Sequence, residues 1–459
     1  MANTTPLRLA ICSWATGIGG GAARMESCYY NYYDRKFIEP HFISLVPRSA
    51  TGPSYDEKMP FTELDQRSRF GHLCNYLAEH KIQAIQFQGS FDPLVCEAAR
   101  VTSTPVLVEV LHNIEPGGLF ENIDHIIGVS NIVGEMQDSG INYTTIHNGI
   151  NVDEFPFQEI KRTNDKIVLL QIARRSKAKI NLDDLESDLS KKFPNLEFVI
   201  CGDEHTHNSN DKIQIRGVVD NVQELYRSSD FFIQLSDNEP FGLVALEAMS
   251  SGLPVILSNA GGFKEIVDDK VDGYLVNGPT ISEAIKVIST AIESRFTDNY
   301  ETIRRKGREK VVEKFKIERC VKSYQDLILE LYRSKSADAS AHAVFPSGLT
   351  EIPPDALVGE ALYDFQSQSL AGIAEKFAML ATSNLPLKQS QSLKTAHDLA
   401  LLLKLRCPAD CPKGIFSYLF YSGDATPETI ESCLEETECI ESRGLSESFN
   451  RFLGGTKEQ

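Results

Sequence analysis

Residues Ser236 to Val255 read SDNEPFGLVALEAMSSGLPV: a polar loop runs into a run of helix formers, Leu243 to Met249, that stops before Gly252 and Pro254. The first-turn amides of a helix have no intrahelical acceptor and lie at the positive end of its dipole, so a loop feeding such an end suits an anion. Phe241, Gly242 and Leu243 supply those amides, and Gly242 lets a ligand come close to the backbone. Glu239 lies at the loop mouth and Glu247 eight residues on, two turns into the helix, so one ligand with hydroxyls at both ends can engage both. A diphosphate carrying a sugar at one end and a ribose at the other is such a ligand. Taken alone, the spacing is also met by ordinary surface carboxylates, the first of them favoured by the helix dipole.

Outward from this stretch, buried strands and helices alternate. Arg8 to Ser13 reads as a first strand and is followed by Gly17-Ile18-Gly19-Gly20-Gly21 and a helix from near Ala22. Strand, glycine-rich turn and helix is how a doubly wound sheet offers backbone amides to an anion. Further strands are expected at His41 to Leu45, Ala84 to Phe87, Val106 to Leu111, Ile123 to Val129, Lys166 to Ile172, Leu196 to Gly202, Asp230 to Leu235 and Pro254 to Leu257, with helices such as Arg67 to Glu79 and Pro93 to Ala99 between them. The alternation predicts parallel sheets with covered faces, whose ligands collect at the carboxyl ends of the strands. His112 stands at such an end; on its own it reads as a hydrogen-bonding residue sooner than a proton carrier.

The 459 residues suffice for two or three domains, and the net charge of -18 argues against nucleic acid as the main partner. No apolar run approaches the ~20 residues that span a bilayer, and MANTTPLRLAICSW lacks the pattern of a signal peptide, so a cytoplasmic location is expected. The ten cysteines are scattered, and Cys12, Cys96 and Cys201 read as buried thiols. Near the end, Cys407, Cys411, Cys433 and Cys439 fit no common zinc spacing, so no metal site is expected.

EPFGLVALEAMSSGLPV, followed by Gly261-Gly262-Phe263-Lys264-Glu265-Ile266-Val267 and Asp272-Gly273-Tyr274-Leu275-Val276, resembles the retaining nucleotide-sugar glycosyltransferases of the two-Rossmann (GT-B) architecture, the family 4-like glycosyl transferases group 1. The resemblance covers residues 1 to about 334 and implies an α/β fold of two Rossmann-like domains facing a cleft. Residues 1–160 would form the acceptor domain and 161–334 the donor domain, with a linker over 335–347 and a helical extension over 348–459. The block His147 to Phe155 is similar to the turn that closes the first domain, with Asn151 in place of the usual Asp.

The same resemblance implies roles. Glu239 holds the sugar hydroxyls and Glu247 the ribose; Arg174 and Lys179, an R-x4-K pair, neutralise the departing diphosphate. Arg175, Lys177 and Ile180 depart from that pattern, which leaves Lys177 as a stand-in for Lys179. Gly20 and Gly21, with Arg24, face the diphosphate across the cleft, and His112 contacts the transferred sugar. Arg216 and Gly217 precede Asn221 to Ser228, which lines the nucleobase, while Gly262 and Phe263 approach the donor.

The expected activity is transfer of a sugar from a nucleotide diphosphate sugar to a hydroxyl of a glycan, lipid-linked, protein or small-molecule acceptor. It uses neither a catalytic metal nor a cofactor besides that co-substrate. An epimerase or phosphorylase on the same scaffold fits the intact carboxylates and cations less well. The alternative from a different class is a non-catalytic nucleotide-sugar-binding or scaffold protein that acts through its last helices. Those helices are compatible with an oligomer, acceptor recognition or partner binding, and the sequence does not choose among them.

Overall fold

The computed structural model describes residues 5–13, 21–45, 59–64, 69–89, 93–114, 123–135, 137, 141–158, 165–172, 182–202, 212–217, 219, 221–236, 239–278 and 280–337. The expected extension over 348–459, with its four cysteines, lies outside the described residues.

In the first half, the strands are β1 (Leu7–Ser13), β2 (Ile38–Ser44), β3 (Thr62–Glu63), β4 (Ala84–Gln88), β5 (Val106–Leu111), β6 (His125–Gly128) and β7 (Tyr143–Thr145). The helices among them are α1 (Gly21–Tyr32), α2 (Arg69–Glu79), α3 (Pro93–Val101) and α4 (Asn131–Glu135). They build a parallel sheet of order β3-β2-β1-β4-β5-β6-β7.

The second half has β8 (Ile167–Ile172), β9 (Leu196–Cys201), β10 (Ile213–Ile215), β11 (Phe231–Gln234), β12 (Val255–Ser258) and β13 (Tyr274–Val276). Around them lie α5 (Leu182–Lys192), α6 (Val222–Ser228), α7 (Leu243–Ser250), α8 (Phe263–Ile266), α9 (Ile281–Glu293), α10 (Asp298–Lys314) and α11 (Ile317–Ala337). This sheet is parallel too, in the order β10-β9-β8-β11-β12-β13. Two parallel sheets alternating with helices are the α/β architecture that the sequence implied.

Central strands of a covered parallel sheet are buried on both faces, which is why β5 and β11 read as near-continuous apolar runs and why even the alternating Gln86 and Gln88 of β4 are buried. Along β11 successive side chains still point to opposite faces. Phe232 joins an apolar core that also takes in Phe155, Phe241 and Phe315 and reaches the first sheet, whereas Phe231 and Ile233 join a second core with Leu185 and Tyr300.

In each sheet the chain order reverses beside its first strand: β1 lies between β2 and β4, and β8 between β9 and β11. A crevice opens at the carboxyl ends of the strands on either side of such a reversal. The β1, β4, β8 and β11 ends are therefore where a ligand site belongs.

The chain crosses back to the first sheet after α10. Ile150 donates its N–H to the Phe315 carbonyl (2.9 Å), and Ile317 donates to the Ile150 carbonyl (3.0 Å). Gly149 is required there, because a Cβ would come within 2.8 Å of the Ile317 Cα. The α11 helix then packs on α1, with the Tyr29 and Tyr324 rings edge to face at 5.2 Å. It runs through Lys335 to Ala337, into the stretch expected to be a linker, and Lys335 pairs with Asp124. Among the described residues no helix is long and apolar enough to cross a membrane.

Candidate active site between the two sheets

The helices α1 and α7 meet across the crevice one turn at a time. A Cβ on Gly21 would lie 3.5 Å from Leu243 Cδ1. One turn further along, the Arg24 guanidinium reaches the Glu247 carboxylate. Leu243 and Glu247 lie four positions apart and Gly21 and Arg24 three, the spacings that stack side chains on one helix face.

Glu247 is 4% exposed, and its two oxygens have different partners: Arg24 Nη1 on Oε1, and the Tyr226 hydroxyl on Oε2 at 2.9 Å. Arg24 in turn lies 3.6 Å from Glu154 and stacks over the Phe155 ring at 5.2 Å. Burial raises the Glu247 pKa, and the attraction of Arg24 and the bond from Tyr226 only partly oppose it. The carboxylate expected to hold ribose hydroxyls is thus held by Arg24 from the other half of the molecule. Tyr226 lies within Asn221 to Ser228, the stretch expected to line the nucleobase, and only the packing of α6 shows that its hydroxyl reaches Glu247.

Glu239 sits just before α7. Its Oε2 accepts from Gln234 Nε2 at 3.0 Å, and Gln234 is the last residue of β11, so the strand end orients the carboxylate. The loop itself is held by backbone against backbone: Gly262 donates its N–H to the Glu239 carbonyl at 2.7 Å. Gly242 caps α7 with φ +109°, a left-handed conformation that favours glycine, and a Cβ there would lie 2.7 Å from the Phe263 ring. Phe263 has no exposed surface and Phe241 has 2%. Both side chains therefore support the loop from behind, so that only their backbones remain to meet the donor as expected.

His112 follows β5 and is half-buried; its Nε2–H donates to Gln88 Oε1 at 2.6 Å, at the end of β4. The register pairing Gln88 with Val110 brings the two strand ends side by side. Gln88 Nε2 is buried without a hydrogen-bond partner among the described residues. Desolvation pushes the His112 pKa down to about 4, so at neutral pH the ring is uncharged and serves as a hydrogen-bonding group.

That shift has a stability consequence. Between the unfolded value near 6.5 and the folded value near 4, the unfolded chain binds the extra proton, so the contribution of His112 is full above about pH 6.5 and is lost as pH falls toward 4. Melting curves of wild type and His112→Gln should therefore converge as pH falls from 7 to 4. Parallel curves over that range would rule the ring out as the source.

Four expected site residues, Gly20, Arg174, Lys177 and Lys179, lie outside the described residues. The strands that lead into them, β1 and β8, end at the two reversal points. Arg216 is solvent-facing and donates to Gln214 Oε1 at 3.2 Å. Gly217, at φ +59°, accepts from the Gly202 N–H at 2.7 Å, which ties its turn to the end of β9. Next to it, α6 is capped by the Asn221 side chain, which accepts from the Glu224 N–H. The structure thus brings Gly21, Leu243 and Glu247 together, and Glu239, Gly242 and Gly262 together; His112 pairs with a residue that no motif marks.

Residues 152–310, which contain both carboxylates, match the model of the family described as glycosyl transferases group 1. The chain carries a glycosyl transferases group 1 domain. Over 124 residues it is 35% identical to N-acetyl-alpha-D-glucosaminyl L-malate synthase of Bacillus anthracis, a match that covers 27% of this chain and 32% of that relative. The chain thus spans less than two thirds of this curated relative.

Among solved structures, the glycosyltransferase of Rickettsia africae ESF-5 superposes with a TM-score of 0.59 at 17% identity, covering 73% of this chain and all of its own. Anabaena Alr3699/HepE, solved in complex with UDP and glucose, superposes at 0.55 with 17% identity over 71% of this chain and all of its own. These likenesses place the group 1 domain in a GT-B fold, with a second Rossmann-like unit across the cleft.

Proposed function

We propose that the protein is a retaining glycosyltransferase that moves a sugar from a nucleotide diphosphate sugar to an acceptor hydroxyl. The observation that carries this reading is the pair Glu239 and Glu247, flanking the amide-rich start of α7 within a group 1 domain, Glu239 oriented by the end of β11 and Glu247 set against Arg24 of α1. Glu247 takes the ribose hydroxyls and Glu239 those of the sugar. Gly242 and Leu243 offer amides to the diphosphate, and Arg174 and Lys179 offset the charge that grows on it as it departs.

Neutral His112, whose Nε2–H is engaged by Gln88, accepts a hydrogen bond at Nδ1 from the transferred sugar. The anomeric carbon loses its bond to the diphosphate oxygen and gains one to the acceptor oxygen on the same face, while the acceptor proton passes to the departing phosphate. No step in this scheme needs a metal ion or a general base on the protein. Closure of the cleft would exclude water and so favour transfer over hydrolysis. We place the enzyme in the cytoplasm, as the sequence suggested.

The test is thermal unfolding with UDP, GDP, ADP, CDP and dTDP, with UDP first because the Anabaena neighbour was solved with it. A ligand at ~100 times its dissociation constant adds about 2.7 kcal/mol to the stability. One nucleotide should raise the melting temperature, and its sugar conjugates should then release it when acceptors are supplied. Binding without turnover across sugars and acceptors would leave a binding protein instead.

A further inference from the structure

Glu265 follows the Gly261–Gly262 turn on α8, yet its carboxylate leaves its own half of the molecule. Oε2 accepts from the Asn131 N–H at 2.9 Å and from His147 Nε2 at 2.7 Å, and Oε1 accepts from the Ile132 N–H at 3.2 Å. Asn131 and Ile132 open α4, which packs on β6 and β7 of the first sheet, and His147 follows β7. Burial by itself would raise the Glu265 pKa, but donation from His147 and the two amides more than offsets it and holds the carboxyl below its usual range.

The same elements meet at a second point. The His147 ring lies 5.7 Å from the Phe241 ring with 27° between their planes, and the Phe315 ring stands edge-on to it at 5.8 Å. Phe241 belongs to the Glu239-Pro240-Phe241-Gly242 loop, and that loop is bonded to the turn before Glu265 through the Gly262 N–H and the Glu239 carbonyl. A Cβ on Gly261 would run into that same carbonyl, so loop and turn pack backbone against backbone with no room for a side chain between them.

The contacts form a closed circuit. Glu265 ties the turn to His147 and α4, His147 ties the first sheet to Phe241, and the turn ties Phe241's loop back to Glu265. Glu265 and His147 therefore act on the loop and make no bond to either donor carboxylate.

We propose that Glu265 and His147 are positioning residues that lock the Glu239 loop to the first sheet when the cleft is closed. What the lock does for transfer rests on the function proposed above; the lock itself does not. It couples cleft closure to the placing of Glu239, so the sugar-binding carboxylate is set only when the acceptor side is in place. A transferase built this way discriminates against water by geometry.

The test is hydrogen exchange on the full chain, wild type against Glu265→Gln, followed by transfer and hydrolysis kinetics with the nucleotide sugar that turns over. Loss of the carboxylate's charge-assisted bonds should speed exchange at Asn131 and Ile132 and, through the circuit, in peptides covering Glu239 to Gly242, by ~10-fold or more. The kcat of transfer should fall about as far while nucleotide affinity changes less than ~2-fold, and hydrolysis should rise relative to transfer.

His147→Phe keeps a ring against Phe241 but removes the N–H, and it reads the same coupling should Glu265→Gln fail to fold. The double variant should be no worse than Glu265→Gln alone. If exchange rises at Asn131 and Ile132 only, with the Glu239 loop and kcat unmoved, Glu265 is a local cap and the lock is wrong. If wild type neither binds a nucleotide nor turns over, the proposed function fails, while the exchange coupling still decides the lock.

Discussion

Replacing Gly262 by alanine should nearly abolish sugar transfer while leaving a folded protein. A Cβ there would lie 2.6 Å from the Phe241 Cα and 2.7 Å from the Pro240 carbonyl oxygen. Both are backbone atoms, so no side chain can swing aside, and the Glu239 loop has to shift instead. Overpacking of this kind costs ~1–3 kcal/mol of stability. A displacement of ~1 Å at a reacting site costs on the order of 100-fold in rate. The expected result is thus kcat/KM lower by about 100-fold with a melting temperature only a few degrees lower. Steady-state kinetics and calorimetry on the purified variant decide it, and a kcat/KM close to wild type would mean that the loop is not where transfer happens.

The second large effect is expected from Glu247→Ala, and it has two parts. Removing the carboxylate takes away the proposed ribose holder, so the nucleotide that stabilises wild type should no longer shift the melting curve at the same concentration. It also removes the charged acceptor shared by the buried Tyr226 hydroxyl and the Arg24 guanidinium, which keep the Val244 carbonyl at 3.3 Å and Glu154 at 3.6 Å, respectively. A hydrogen bond to a charged group is worth about 1.5–3 kcal/mol, so the variant should melt lower even without ligand.

Glu247→Gln separates the two parts, because its amide oxygen still accepts from Arg24 while its NH2 can donate to the Tyr226 hydroxyl, which accepts as well as donates. Its baseline should lie nearer wild type while nucleotide affinity remains weakened. Titration calorimetry with UDP or the nucleotide selected by melting makes the measurement, and an undiminished affinity in both variants would remove Glu247 from the donor site.

Much of this architecture was legible in the chain. The run from Leu243 to Met249 forms α7, which extends by one residue to Ser250, and the strand expected at Val106 to Leu111 is found with those bounds. Long apolar runs and helix formers state their structure locally. The short strands β3, β7, β10 and β13, each two or three residues long, were not read. Stretches that short carry no periodicity, and only the hydrogen bonds of a neighbouring strand make them strands.

Phe241 and Phe263 show a related limit. Position next to a glycine-rich turn marked their backbones, whereas the burial of their rings was set by the core beneath the turn.

The sequence by itself determined the alternation of strands and helices, the glycine-bearing loop before α7 and the spacing of its two carboxylates, because each follows from the chemistry of adjacent residues. Only the tertiary structure decided which side chains meet. Arg24 and Glu247 are 223 positions apart, His147 and Glu265 are 118 apart, and His112 and Gln88 are 24 apart. In parallel sheets every crossover returns the chain to the same end, so strand ends far apart in sequence become neighbours in space. Pairing across the crevice is then set by how two sheets pack, which no local pattern encodes.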